Sequence, residues 1–403
     1  DLKNKKIAIV GLGVNNLHLA EYFKKNDIEF DVVDGWNKPE ELVGQLDNFD
    51  IIFRTPGLPY LSKAVQQAKA KGVVIYSQTK LFFDLCKSPI IGVTGTKGKG
   101  TTATLIGKIL EAAGRKVWLG GNIGNDPFEF IDKLNNDDLV VLELSSFQLQ
   151  DLHKSPHIAL VLKITPEHLD HHQSVEEYIA AKKPIVMHQE KKDFAVVNYD
   201  YETTRHFASL TEGAVFWNSA RQEVKPGCYV KGERIWLDLS LPSPGLGRVP
   251  KGGEVEIMPV FEVKLIGRFN LENVTAAIAA AACAEVADPN LIRSVVSQFI
   301  GLPHRLEFVA EAKEVKFYND SFSTTPDTAM AALSGFPEPV ILIVGGSEKN
   351  ADYTDLARTM ASSKIKAVIP IGLTGPKIAK QARLAGFEGR IIDEKLDSME
   401  KIV

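Results

Sequence analysis

The densest chemistry in the chain lies in Gly92-Val-Thr-Gly95-Thr96-Lys97-Gly98-Lys99-Gly100-Thr101-Thr102. An apolar run, Pro89-Ile90-Ile91, precedes it, and a stretch of helical character, Ala103 to Ala113, follows. Strand, glycine-rich turn, lysine, hydroxyl and helix in that order make a phosphate cradle. Glycines let backbone N–H groups close on phosphate oxygens, and a helix N-terminus favours negative charge. Lys99 is placed to reach the β- and γ-phosphates of ATP, and a threonine hydroxyl to hold Mg²⁺. The strict G-x4-G-K-[ST] spacing is not met, because five residues separate Gly92 from Gly98 and Gly100 follows the lysine. Thr101 is therefore the candidate for the metal. The competing reading is an ordinary glycine-rich turn, which the flanking strand and helix disfavour.

Other polar clusters sit beside predicted strand ends. Glu143, in Leu142-Glu143-Leu-Ser145-Ser146-Phe147-Gln148, closes a predicted buried strand at the end where ligands bind in open α/β sheets. A carboxylate there can complete a Mg²⁺ shell with Thr101, and the alternative is a solvated strand-end charge. Thr165-Pro-Glu167-His168-Leu-Asp170-His171-His172 packs three imidazoles and two carboxylates into eight residues. It reads as a ligand to a second Mg²⁺ through His168, as a zinc or manganese site of the phosphoesterase type with Asp-His-His, or as a polar loop. Lys182 lies in a helical pattern and on sequence alone reads as a solvated surface charge. Gly11-Leu-Gly13-Val14-Asn15-Asn16 follows the first predicted strand, with Asp34 ending the second. This approaches a dinucleotide fingerprint, with Asn16 in place of the third glycine. A nucleotide-diphosphate site, an NAD-dependent dehydrogenase and a tight structural turn all remain open for it.

These residues need a scaffold, and the patterning supplies one. Lys6 to Val10, Phe30 to Val33 and Asp50 to Phe53 read as buried strands separated by helices at Leu17–Lys25 and Leu61–Lys71. A second α/β region starts at Ile90, with further strands at Leu139–Leu144 and Ile158–Leu162. Short strands and turns fill 214–263, an alanine-rich helix spans Asn273–Val286, and Gly301 to His304 reads as a linker. A third α/β unit is expected from Val315–Tyr318, Val340–Val344 and Ala367–Ile371. At 403 residues the chain suggests two or three domains, and 44% hydrophobic with 24% charged residues is ordinary for a globular protein. A net charge of −4 gives no support for nucleic-acid or anionic-membrane partners. Cys86, Cys228 and Cys283 are scattered and lack metal spacing, as expected of reduced thiols in a cytoplasmic protein.

Taken in order, nine segments resemble the Mur ligase superfamily. They are Thr94 to Lys99, Gly121-Asn122-Ile-Gly124, Glu143 to Gln148, Glu167 to Asp170, Ala180 to Lys182, Gly267-Arg-Phe-Asn270, Gly301 to Arg305, Asn319-Asp320-Ser321 and Gly345 to Lys349. The similarity runs from the first strand to the end of the chain. The Ser-Ser-Phe-Gln form of the third segment points to the member that adds glutamate. The resemblance implies an α/β protein of three domains. An N-terminal Rossmann-like domain (1–88) would bind the UDP substrate. A central P-loop ATPase-type domain (89–299) would carry a small β-rich insertion. A C-terminal Rossmann-like domain (300–403) would contact glutamate and nucleotide, and is expected to be incomplete at its end.

The same resemblance implies an ATP- and Mg²⁺-dependent ligase joining D-glutamate to the alanine carboxylate of UDP-N-acetylmuramoyl-L-alanine through an acyl phosphate. That would be a cytoplasmic step of bacterial peptidoglycan synthesis, performed by a monomer without nucleic-acid or membrane partners. It places Lys99, Glu143, His168 and Lys182 in catalysis. Thr101 and Glu143 would hold one Mg²⁺; His168 and a carbamylated Lys182 would hold the second. Asn270 and Asn273 would meet the adenine side, with Arg305 and Asp320 reaching the nucleotide. Gly13, Val14, Asn15, Asn16, Asp34 and Thr55 would bind the UDP group, and Asn122 the muramoyl-alanine part. Ser145, Gln148, His168 and Thr324 would also touch substrate, and Lys349 would meet the incoming glutamate. Two features depart from the pattern. Gly100 replaces the usual Ser/Thr and resembles folylpolyglutamate synthases, and Phe322 stands where many relatives have lysine, which leaves L-glutamate open.

Overall fold

Runs of β-branched residues alternate with amphipathic stretches through the first ninety residues, and each run becomes a parallel strand. In a computed structural model, which describes residues 2–165, 172–240, 253–348 and 351–392 but not the side chains of Val14 and Asn15, these are β1 (Ile7–Val10), β2 (Asp31–Val33), β3 (Ile51–Arg54) and β4 (Val74–Ser77). They pair in the order β2-β1-β3-β4, all parallel. Both central strands are buried along their whole length, as strands covered on both faces must be. Helix Lys63–Ala70 buries Ala64, Val65 and Ala68 on one face of this sheet. The opposite face joins a larger core.

The second sheet continues with β5 (Ile90–Thr94), β6 (Val117–Gly121), β7 (Leu139–Glu143), β8 (Ile158–Val161) and β9 (Phe194–Asn198). Then follow β10 (Ala214–Ser219), β11 (Gly227–Lys231), β12 (Arg234–Asp238) and β13 (Glu254–Pro259). The order is β13-β12-β11-β10-β9-β8-β5-β7-β6. Strands β6 to β11 are parallel, and β12 and β13 add antiparallel pairs. The β-rich segment is thus built onto the edge of the central sheet. Helix Phe269–Cys283 starts four residues before the expected Asn273. It stops before Val286 because Glu285 adopts a positive φ of 66° and the Val286 amide turns back to Ala281.

The first two sheets share one apolar core. Phe23 and Phe53 of the first belong to the same buried cluster as Phe82, Phe128, Val140, Leu142 and Val161. Edge-to-face rings stitch it together, with Tyr22 on Phe128 at 5.1 Å and Phe82 on Phe130 at 5.9 Å. Residues 1–263 with 271–298 accordingly form one compact unit, and 264–270 with 299–403 form another.

In the second unit, β14 (Glu307–Ala312) and β15 (Val315–Asn319) form an antiparallel hairpin. Val315–Tyr318 is a strand as expected, but it pairs in this hairpin and not in the sheet of Val340–Val344 and Ala367–Ile371. Lys313 and Glu314 both take positive φ (49° and 64°), the two-residue turn that matches strand twist in hairpins. Without Gly or Asn at those positions, the turn carried no sequence signal. Strands β16 (Val340–Gly346), β17 (Ile365–Gly372) and β18 (Arg390–Ile391) form a parallel sheet. Leu356, Met360, Val368 and Ile378 make its core.

Candidate active site

Strand β5 runs straight into the glycine–lysine loop, and helix Lys99–Ala112 rises from it. Gly98 caps that helix at φ 87°, and a Cβ there would fall 2.1 Å from Asn273 Oδ1. The loop is therefore pressed against the helix that carries Asn273, and only glycine satisfies both demands. Lys99 Nζ donates to the carbonyls of Gly95 (3.2 Å) and Thr96 (3.1 Å) and lies 3.9 Å from Glu143 Oε1. Thr101 and Gly100 are buried in the first turn, and Lys97 is exposed. Thr102 Oγ1 is buried without a hydrogen-bond partner among the described residues. Gly98→Ala is expected to weaken ATP binding about 5- to 150-fold by calorimetry, since about 1–3 kcal/mol of backbone strain falls on the loop itself.

Glu143 ends β7 beside this loop and is 8% exposed, so it is not a solvated strand-end charge. The Asn122 amide donates to the Glu143 carbonyl at 3.1 Å, which fixes the two strand ends together. The reading of Lys182 as a surface charge is corrected: it is 1% exposed. Its Nζ donates to Gly95 O at 3.2 Å and lies 4.6 Å over the Tyr178 ring. Periodicity could not show this, because the helix Val175–Ala180 ends just before Lys182 and the chain turns inward at Pro184. Ser145 and Gln148 cap the short helix Ser146–Leu149 reciprocally, each bonding the other's backbone amide. Among the described residues no three His, Cys, Asp or Glu converge as a metal cage. Mg²⁺ does not need one, because it takes one or two carboxylates, waters and substrate phosphates. The Glu143 carboxylate and the Thr101 hydroxyl are oxygen donors of the type such an ion takes.

The first sheet presents a second cluster at the carboxyl ends of β1, β2 and β3. Asn16 is fully buried and its Nδ2 donates to Gly11 O at 2.9 Å, bracing the turn that includes Gly13. Thr55 is buried, and Asp34 is exposed at the end of β2. Trp36, absent from the sequence-based candidates, packs across Gly11 and Gly57; a Cβ on either would fall within 2.7 Å of the indole. A lone tryptophan after Asp34-Gly35 was the available signal. Behind this cluster Arg54 and Asp151 form a buried ion pair, each side chain 1% exposed. The guanidinium also donates to the carbonyls of Phe147 (2.6 Å) and Leu58 (3.3 Å).

Asn273 is buried against Gly98, and Asn270 begins the same helix, its Nδ2 donating to Ile266 O at 2.7 Å. Between them Glu272 accepts from Tyr201 Oη at 2.7 Å and Asn198 Nδ2 at 3.1 Å. Burial pushes the Glu272 carboxyl above its usual value, and burial with Glu272 raises Tyr201. In the second unit Asp320 accepts from the Leu306 amide at 3.0 Å, and Arg305 stacks over Phe322 at 4.9 Å. Thr324 is exposed nearby in sequence. His168 and Lys349 lie outside the described residues, as do the side chains of Val14 and Asn15.

A parallel sheet whose central strand feeds a glycine–lysine loop and helix, with a carboxylate on the next strand end, defines an α/β protein built to bind a nucleoside triphosphate. Sequence and structure comparisons sharpen that class. Residues 93–281 match the Mur ligase middle domain and 304–403 the Mur ligase glutamate ligase domain. A UDP-N-acetylmuramoylalanine–D-glutamate ligase of Symbiobacterium thermophilum is 38% identical over 96% of this chain and 87% of its own length. One from Acetivibrio thermocellus is 37% identical over 100% of this chain and 88% of its own length. Among solved structures, MurC of Thermotoga maritima matches with TM-score 0.56 and 18% identity over 98% of this chain and 93% of that one. MurF of Acinetobacter baumannii matches with TM-score 0.59 and 19% identity over 81% and 77%. The chain belongs to the Mur ligase family.

Proposed function

We propose that this protein joins D-glutamate to the alanine carboxylate of UDP-N-acetylmuramoyl-L-alanine, driven by ATP, in cytoplasmic peptidoglycan precursor synthesis. The observation that carries the reading is the convergence of Lys99, Glu143 and the buried Lys182 on one phosphate loop, in a chain similar along its length to ligases of that name. Three functional domains, 1–88, 89–299 and 300–403, divide the work.

A carboxylate is a poor electrophile and must first become an acyl phosphate. The alanine carboxylate attacks the γ-phosphorus, the bond to the β-phosphate oxygen breaks and ADP leaves, while Lys99 draws the charge that builds on the phosphates. Thr101 and Glu143 would hold one Mg²⁺, and His168 with Lys182 a second; bound there, the ions would supply Lewis-acid neutralisation of the phosphates. A Lys182 carbamate suits this role: it keeps one N–H for the Gly95 carbonyl and turns the side chain into an anion. Asn270, Asn273, Arg305 and Asp320 hold the nucleotide, and Asn122, Ser145, Gln148 and Thr324 orient the acceptor. Lys349 receives glutamate, whose amine attacks the acyl carbon and expels phosphate. The turn from Gly13 to Asn16 holds UDP with Asp34 and Thr55, and the Trp36 indole lies alongside. The enzyme acts as a monomer.

Trp36→Ala is expected to raise the KM for the UDP substrate about tenfold with kcat little changed, as loss of one stacking contact predicts. The test of the reading is ADP release with ATP, Mg²⁺, UDP-N-acetylmuramoyl-L-alanine and each glutamate enantiomer in turn. Release that requires the UDP substrate and D-glutamate supports it; release with neither enantiomer sinks it.

A further inference from the structure

His172 has no part in the reaction as written, yet it is among the most heavily engaged polar side chains of the first unit. It is 4% exposed, with Nε2 2.9 Å from Ser146 Oγ and Nδ1 2.6 Å from Glu177 Oε2. Glu177 as a carboxylate only accepts, so Nδ1 donates to it; in the neutral imidazole Nε2 then accepts from the Ser146 hydroxyl. The other Glu177 oxygen accepts from Gln150 Nε2 at 2.5 Å. Phe147 stacks on the imidazole at 5.0 Å and 6°, and Tyr178 meets its edge at 5.2 Å. Tyr178 Oη in turn lies 3.0 Å from Thr96 Oγ1 of the phosphate loop, and its ring lies under Lys182.

Serine, histidine and glutamate in line invite comparison with a hydrolase triad. Ser146 is 2% exposed, so no acyl substrate reaches its hydroxyl. What the arrangement does is mechanical. One imidazole connects the segment just after Glu143, the helix leading to Lys182, and, through Tyr178, the loop carrying Lys99. We propose that His172 is a positioning residue whose links to Ser146 and Glu177 set the separation of Glu143 and Lys182 and so the geometry of the metal–phosphate site. The inference rests on the reading above for the identity of that site. Partners of this kind, one shell behind the ligands, typically govern metal affinity or activity by about 10–100-fold.

The test uses the full chain and its Ser146→Ala, His172→Asn and double variants. Mn²⁺ affinity is read by electron paramagnetic resonance with a non-hydrolysable ATP analogue, beside kcat, the KM for ATP and the thermal midpoint. Each single variant is expected to weaken Mn²⁺ binding and lower kcat about 10–100-fold, with the KM for ATP within about twofold. The double variant is expected to be no worse than the worse single one, because the links act as a unit. His172→Gln, which keeps an amide near the Nε2 position, should recover part of the loss. Wild-type Mn²⁺ affinity and kcat in folded variants, or a loss confined to the thermal midpoint, would overturn the proposal. Should His172→Asn not fold, Ser146→Ala decides alone. If the wild type releases no ADP but the variants still lose Mn²⁺ affinity, the reaction assignment fails and the relay stands.

Discussion

Lys182→Ala is expected to abolish nearly all ligation while leaving the protein folded and able to bind ATP. Lys182 is 1% exposed, and its Nζ donates to the carbonyl of Gly95 in the glycine–lysine loop, which is what the proposed role at the γ-phosphate requires. In the reaction proposed above, a carbamate on Lys182 would contribute an anion where cations and phosphates meet, and removing it would forfeit several kcal/mol of charge stabilisation, roughly a 10³-fold loss in kcat. The alanine variant leaves a void of matching shape, so acetate or formate should restore part of the activity. Lys182→Arg should not be rescued, because the guanidinium fills the space and cannot carry a carbamate. The measurement is kcat for ADP release with and without added short carboxylates. Retention of more than a tenth of the activity by the alanine variant would show that Lys182 only packs against Tyr178.

Arg54→Ala should give the largest loss of stability. Its guanidinium reaches Asp151 at 2.9 Å and the carbonyls of Phe147 and Leu58, joining the strand before the Thr55-Pro56-Gly57 turn to the helix after Glu143. Removing one partner of a buried pair leaves the other charge unpaired, which costs about 3–5 kcal/mol. For a unit of this size that lowers the thermal midpoint by roughly 10 °C. Asp151→Leu should cost a similar amount, and the double variant Arg54→Met with Asp151→Leu should cost less than either single one, because no charge is then stranded. A fully additive double variant would contradict this account. Lys80 shares the environment: burial pulls its ammonium below its usual value, and Asp151 pulls the other way.

Much of this architecture was legible in the sequence. Ile7–Val10, Ile51–Arg54 and Ile90–Thr94 are uninterrupted apolar or nearly apolar runs, and such runs announce strands buried on both faces. The phosphate loop was legible because glycine, lysine and helix fall in one short stretch. Lys182 was legible only through the family pattern, since burial of a lysine depends on what folds over it. Trp36 offered only an isolated aromatic as a signal, and the Arg54–Asp151 pair offered none, because no local period records a contact across 97 residues. His172 was visible as one of three clustered imidazoles, but its partners Ser146 and Glu177 come from two different helices. The hairpin β14–β15 escaped because its turn residues, Lys313 and Glu314, reach positive φ without the usual chemistry.

In the proposed reaction ATP activates the acceptor carboxylate as an acyl phosphate on the Lys99 loop before glutamate attacks. UDP-N-acetylmuramoyl-L-alanine carrying ¹⁸O in both carboxylate oxygens tests it in one turnover with ATP, Mg²⁺ and D-glutamate. The phosphate released is expected to carry one ¹⁸O, and the new amide carbonyl to keep the other. Unlabelled phosphate, with amide formed, would contradict it.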